Sequence, residues 1–193
     1  MKISSLLLCL ILTLSCLTAC KSSEESYSFD ASAYIQAYLD CAYLGNTENY
    51  TDVTQVDGDT ALQNHTATIN NISVDFFAQY KLNPTDEQKS SMDSLIELMF
   101  KSCTYIVENE IETENGYSVT VNFLPILNLK YLADEFEFLT IDEMITLLEE
   151  DSLNTIYGEE ISIIFDFIID DEGYVKVNTN LFDEMDDLIF PVI

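Results

Sequence analysis

His65 is the single histidine in 193 residues, and a serine or cysteine nucleophile usually needs an imidazole as its base. Its place on the stripe Leu62, His65, Ile69, at helical spacing, predicts a packed structural ring, so no catalytic residue is expected. The chain is read as no enzyme. Cys41 and Cys103 could pair, and closing that loop of about 62 residues would contribute about 4 kcal/mol. Both also lie on apolar helical stripes, Tyr34-Tyr38-Cys41 and Met92-Ile96-Met99-Cys103, where a buried thiol acts as a small hydrophobe. With 35 Asp and Glu, close carboxylate pairs arise by chance and carry no signal for glycoside hydrolysis. Calcium wants about six to eight oxygens, yet Asp170-Asp171-Glu172-Gly173 puts Ile168 where the first ligand belongs. The cluster Asp183, Glu184, Asp186, Asp187 reads as a solvated face. Zinc spacing and a phosphate-cradling glycine loop are both missing from the sequence, so neither metal nor cofactor is expected. Tyr34, Tyr38, Phe76, Phe77 and Tyr80 could line a pocket for an apolar ligand; the plainer expectation is that they are core.

The N-terminus holds a different chemistry. Lys2 supplies one positive charge and Ile3 to Leu17 is nearly unbroken apolar sequence, the layout of a secretory signal. The run falls short of the roughly 20 apolar residues that span a bilayer. Leu17-Thr18-Ala19-Cys20 resembles the bacterial lipobox, where a leucine and two small residues precede a cysteine that is diacylated and becomes the first residue. Cys16 fits less well, because Leu14 stands where a small residue belongs. The resemblance implies a signal peptide over 1–19, a lipid bilayer held through acylated Cys20, and a location on the extracytoplasmic face of the cell membrane. Two acyl chains anchor stably, whereas one, at about 0.8 kcal/mol per buried methylene, binds only marginally. A polar spacer, residues 20–29, follows; nine extended residues reach at most roughly 30 Å.

Residues 30–193 are enough for a single domain with a substantial core. With Lys2 lost in the signal, six lysines face 35 carboxylates and arginine is absent, a formal charge of −29. Nucleic acid is therefore excluded as a partner, since phosphate contacts need clustered Lys and Arg. Cations, cationic or neutral proteins and small molecules stay open.

Around these residues the elements read as follows. Asp30 caps a helix ending at Gly45, and residues 46 to 59 form a loop or short helical turn. Thr60 with Gln63, Thr85 with Gln88 and Thr140 with Glu143 match the capping box, each before an apolar stripe at helical spacing. A further turn is expected within Leu129 to Phe138. Two hairpins alternate with period two. Tyr105, Val107 and Ile111 turn at Asn115-Gly116 into Tyr117, Val119, Val121 and Phe123. Ile161 to Ile169 turns at Asp171-Glu172-Gly173 into Val175 and Val177.

N-terminal helices, hairpin, helix, hairpin predict an α+β domain with helices packed on an antiparallel sheet of about four strands. That order behind a lipobox resembles the nuclear-transport-factor-like or cystatin-like domains of unknown function in surface lipoproteins of Gram-positive bacteria. The resemblance implies a cone-like sheet with a cavity beneath the helices. The expected function is a membrane-anchored, non-catalytic binding or interaction module. A solute-binding cone serving a membrane partner and an envelope hydrolase are the alternatives.

Overall fold

The computed structural model describes residues 29–131, 136, 139–170, 172 and 174–191. Four of its helices begin where short polar side chains meet orphan amides. Asp30 accepts from the Ala33 amide at 2.8 Å and opens α1 (Ala31–Leu44), which stops on Gly45 at φ +67°, a left-handed conformation that disfavours any side chain. The segment expected to be mostly loop carries a full helix, α2 (Thr47–Thr54). The box expected at Thr60 is not used. Asp57 accepts from the Thr60 amide at 2.9 Å, so α3 (Gly58–Gln79) starts earlier than Thr60 as cap would allow. Thr85 with Gln88 and Thr140 with Glu143 form both reciprocal boxes as expected. They open α4 (Asp86–Phe100) and α6 (Ile141–Asp151). Between them α5 (Asn128–Tyr131) is one turn; residues 132–135 and 137–138 of the expected Leu129 to Phe138 turn lie outside the described residues.

The sheet has five antiparallel strands: β1 (Thr104–Val107), β2 (Ile111–Thr113), β3 (Gly116–Leu124), β4 (Ile161–Ile169) and β5 (Val175–Val177). Their order is β1-β3-β4-β5, with β2 also paired to β3. The sheet is thus four strands wide, and the fifth arises because the first hairpin's outgoing arm is broken over residues 108–110. There Glu110 leaves the ladder for α1: its carboxylate accepts from the Ala31 amide at 2.5 Å and its own amide donates to Ser32 Oγ at 2.7 Å. Thr113 pairs with Gly116, so the turn is Glu114-Asn115, one residue earlier than expected. Gly116 opens β3 at φ +154°, and a Cβ there would lie 1.9 Å from the Phe167 carbonyl oxygen. In the second hairpin Phe167 faces Val177 and Ile169 faces Val175; Asp171 and Gly173 of its turn lie outside the described residues.

The acidic run near the C-terminus belongs to a helix absent from the expected elements, α7 (Asn180–Ile189), which buries Phe182, Met185 and Ile189. Inward-facing Val119, Val121 and Phe123 of β3 and Ile163, Phe165 and Phe167 of β4 are all buried. At about 25 cal/mol per Å² of apolar surface, each such side chain contributes on the order of 1.5 to 3 kcal/mol. α1 and α7 lie on this face, with α3 and α4 packed behind α1. The cavity implied by the cone-like resemblance is occupied by side chains. Tyr34 meets Phe167 edge-on at 5.8 Å and Phe182 lies against Phe165 at 4.9 Å.

Candidate functional site

Leu17, Thr18, Ala19 and Cys20 lie outside the described residues, but the chain they would tether enters the fold at a fixed place. Phe29 sits among Tyr34, Tyr117 and Phe167, with ring centroids at 5.9, 6.3 and 5.4 Å.

The aromatic residues read as a possible pocket lining are spread through the core. Phe76 and Phe77, consecutive on α3, stand edge-on at 5.6 Å, and Phe76 and Tyr80 both pack on Phe136. Tyr34 and Tyr38 belong to α1, and Tyr38 stacks on Phe182 of α7 at 3.9 Å. These five are not gathered around one space, because α1 and α3 direct them to different neighbours. Cys41 and Cys103 are free thiols, and the bridge between them is not formed. Cys41 Sγ donates to the Ala61 carbonyl at 3.3 Å within a small cluster with Ala37, Tyr50 and Ala61, whereas Cys103 packs on the main core. Burial pushes the Cys41 thiol up to about 11. His65 is buried; its Nδ1 donates to the Ala42 carbonyl at 2.8 Å, and a Cβ on Gly45 would press on its ring. It fastens α3 to the end of α1. Among the described residues no group of three or more His, Cys, Asp or Glu is placed to hold a metal ion.

The most unusual electrostatics lie where sequence reading placed only solvated acids. The buried stripe Phe182, Met185, Ile189 turns Asp186 inward, while Asp183 and Asp187 stay exposed. Tyr43, buried on α1, donates to Asp186 Oδ1 at 2.7 Å. Alongside, Tyr105 of β1 donates to Asp40 Oδ1 at 2.6 Å, and the two tyrosine rings lie 6.2 Å apart. An edge of Asp186 still reaches solvent, yet protein crowds its carboxyl. Loss of hydration, with the negative charges of Asp183 and Asp187, pushes its pKa up from 3.8 to about 7, against the opposing donation from Tyr43. Tyr43, Tyr38 and Cys103 are all shifted upward, burial first and Asp186 second. Tyr105 is raised by burial and by its bond to Asp40.

This arrangement offers a carboxyl able to exchange a proton near neutrality, but the thiol beside it is held protonated, and a protonated thiol is a poor nucleophile. Nor does the carboxyl line either of two open surface clefts. One, of about 590 Å³ between α3 and α4, is bounded by Asp59, Leu62, Asn70, Lys89 and Asp93. The other, of about 580 Å³, lies at the turn end of β3 and β4. In the first cleft Lys89 is engaged by Asn70 and by Asp93 at 3.3 Å. The signal that finds α7 is in the sequence, as Leu181, Phe182, Met185, Leu188 and Ile189 at helical spacing. Nothing local marks Tyr43 as the partner of Asp186.

No protein-family model matches the chain, and a search of curated proteins finds no match. Among solved structures it is similar to YcdA, a candidate lipoprotein from Bacillus subtilis, with a TM-score of 0.57 and 11% sequence identity. The likeness covers 84% of this chain and 56% of that one, so this chain corresponds to little more than half of that protein's length. At such identity the likeness speaks for the fold, and the shared architecture is an α+β domain known from a candidate lipoprotein of a Gram-positive bacterium.

Proposed function

We propose that the chain is a lipid-anchored protein of the extracytoplasmic face of a bacterial cell membrane, and that its folded domain binds or supports a partner there without catalysing a reaction. One observation carries the reading: Leu17-Thr18-Ala19-Cys20 follows a charged and then apolar leader. The likeness in fold to a candidate lipoprotein of Bacillus subtilis supports it. Among the described residues no helix is long and apolar enough to cross a membrane, and in this reading attachment is through the thioether on Cys20. With Phe29 clasped by Tyr117 and Phe167, the spacer brings the turn end of β3 to within roughly 30 Å of the lipid surface. The geometry of the polar groups supports a non-catalytic role. His65 is committed to a backbone carbonyl, and the proton-exchanging carboxyl of Asp186 is turned into the fold.

Labelled palmitate fed to cells expressing the full chain tests the anchor. The wild type carries label and fractionates with membranes, and Cys20→Ser does neither. Membrane fractionation of Cys20→Ser equal to wild type, with no label on either, overturns the reading.

A further inference from the structure

β4 is nine residues long and β5 three, so one side of β4 is paired along only part of its length. The register says which groups that leaves. The Ile169 amide donates to the Asn115 carbonyl at 2.8 Å, so in this antiparallel ladder the odd-numbered residues of β4 bond β3 and the even-numbered ones point their N–H and C=O away from it. Ile168 spends its pair on Lys176, and the pairing with β5 ends at Phe167 and Val177. The chain then leaves that line for α7, which packs on the inner face with Phe182 against Phe165 at 4.9 Å. Among the described residues no hydrogen bond reaches the edge-facing groups of Ser162 and Ile164.

A row of free main-chain donors and acceptors suits one kind of occupant, an extended polypeptide. Folded proteins usually blunt such an edge with lysine, proline or a bulge. Residues 161–166 contain neither lysine nor proline, and they pair with β3 without interruption. Ser162, Ile164 and Asp166 face outward and are exposed, Ile164 by 55%, and exposed Glu160, one step before the strand, continues the row. β5 shows which chemistry matches this face: its outward Lys176 lies opposite Ile168 and reaches the Asp170 carboxylate at 2.8 Å. The chain carries 35 Asp and Glu against seven basic residues, so a second copy at this edge would bring like charges together, whereas a cationic segment would be drawn in.

We propose that the open edge of β4 takes one extended, basic segment of a partner protein, laid antiparallel on the line that β5 leaves. Its first residue is Lys or Arg opposite Asp166, its third is apolar opposite Ile164, and its seventh is Lys or Arg opposite Glu160. The N–H and C=O of Ser162 and Ile164 supply main-chain bonds, and the alternate side chains supply the selectivity. The inference rests on the binding role proposed above and is independent of the anchor at Cys20.

A synthetic peptide, Lys-Thr-Val-Thr-Thr-Thr-Lys with both ends capped, tests it by titration into the isotope-labelled full chain in neutral detergent, followed by amide NMR. The Ser162 and Ile164 amides should shift saturably at peptide concentrations up to about 5 mM, while Ile106 on the far strand β1 keeps its position. Ile164→Pro removes an edge-facing N–H without touching the β3 ladder and should weaken binding by about tenfold. Asp166→Lys, at an exposed position, should weaken it by about fivefold, and a peptide whose first Lys is replaced by Glu should restore it. Should Ile164→Pro fail to fold, that charge exchange decides alone. No saturable shift, shifts that map away from the β4 edge, equal binding of a peptide with Glu at both ends, or a dimer of the protein that forms through this edge would each overturn the proposal. A null titration leaves the palmitate result untouched, so the two readings fail separately.

Discussion

Replacing Gly116 by alanine puts the β3–β4 register under a defined load. An ideal Cβ on Gly116 lies 1.9 Å from the Phe167 carbonyl oxygen, 2.9 Å from its carbon and 3.2 Å from the Ile168 Cα. Nonbonded heavy atoms prefer separations of about 3.5 Å or more, so the first turn of the ladder must part by roughly 1.5 Å. All the nearest atoms are backbone and none can rotate away. Opening that end forfeits one or two ladder hydrogen bonds at about 1 kcal/mol each, and alanine at φ +154° adds on the order of 1 to 2 kcal/mol. The expected loss is about 2 to 4 kcal/mol, a fall in melting temperature of roughly 5 to 15 °C for a domain of this size. Gly58 supplies the matched control, since it stands in the first turn of α3 with nothing within 4 Å of an added Cβ. Gly58→Ala should stabilise by about 0.5 to 1 kcal/mol. Urea melts followed by circular dichroism measure both. A Gly116→Ala protein within about 0.5 kcal/mol of wild type would show that the ladder does not close at this glycine.

Both thiols should resist chemistry in the folded protein. Iodoacetamide at mildly alkaline pH is expected to label Cys41 and Cys103 at least tenfold more slowly than in urea, because burial keeps both protonated; equal rates, followed by mass spectrometry, contradict their placement. Asn128, almost fully buried, spends its side chain on the Asp151 and Asn154 carbonyls, the Asp151 carboxylate and the Ile156 amide. Asn128→Leu leaves those groups unsatisfied and should cost about 2 to 4 kcal/mol, read as a lowered urea midpoint with an unchanged slope.

Local chemistry made some of this fold readable before any coordinates. Thr85 with Gln88 and Thr140 with Glu143 carry a helix start within four residues, and Asp30 and Gly45 delimit α1 in the same way. Where two local answers competed, the reading slipped. Asp57 and Thr60 are both able caps, and Asp57 prevails because its carboxylate takes the Thr60 amide and hydroxyl together. The broken arm of the first hairpin was beyond local reach, since Glu110 is drawn out of register by Ala31 and Ser32, far away in sequence. In α7 the apolar spacing was present, but acids at 183, 184, 186 and 187 masked it as a solvated tract. The inward turn of Asp186 then depends on Tyr43, 143 residues earlier, a pairing that no window of sequence contains.

Phe29 and its two neighbours at the start of α1 have a mechanical consequence. Any tug arriving from the N-terminal side meets a ring wedged between β3 and β4 at Tyr117 and Phe167. Next in line are the amide of Ala31 and the hydroxyl of Ser32, both fastened to Glu110. Tension is thus divided within residues 29–32 between two strands, through Phe29, and the broken arm of the first hairpin, through Glu110.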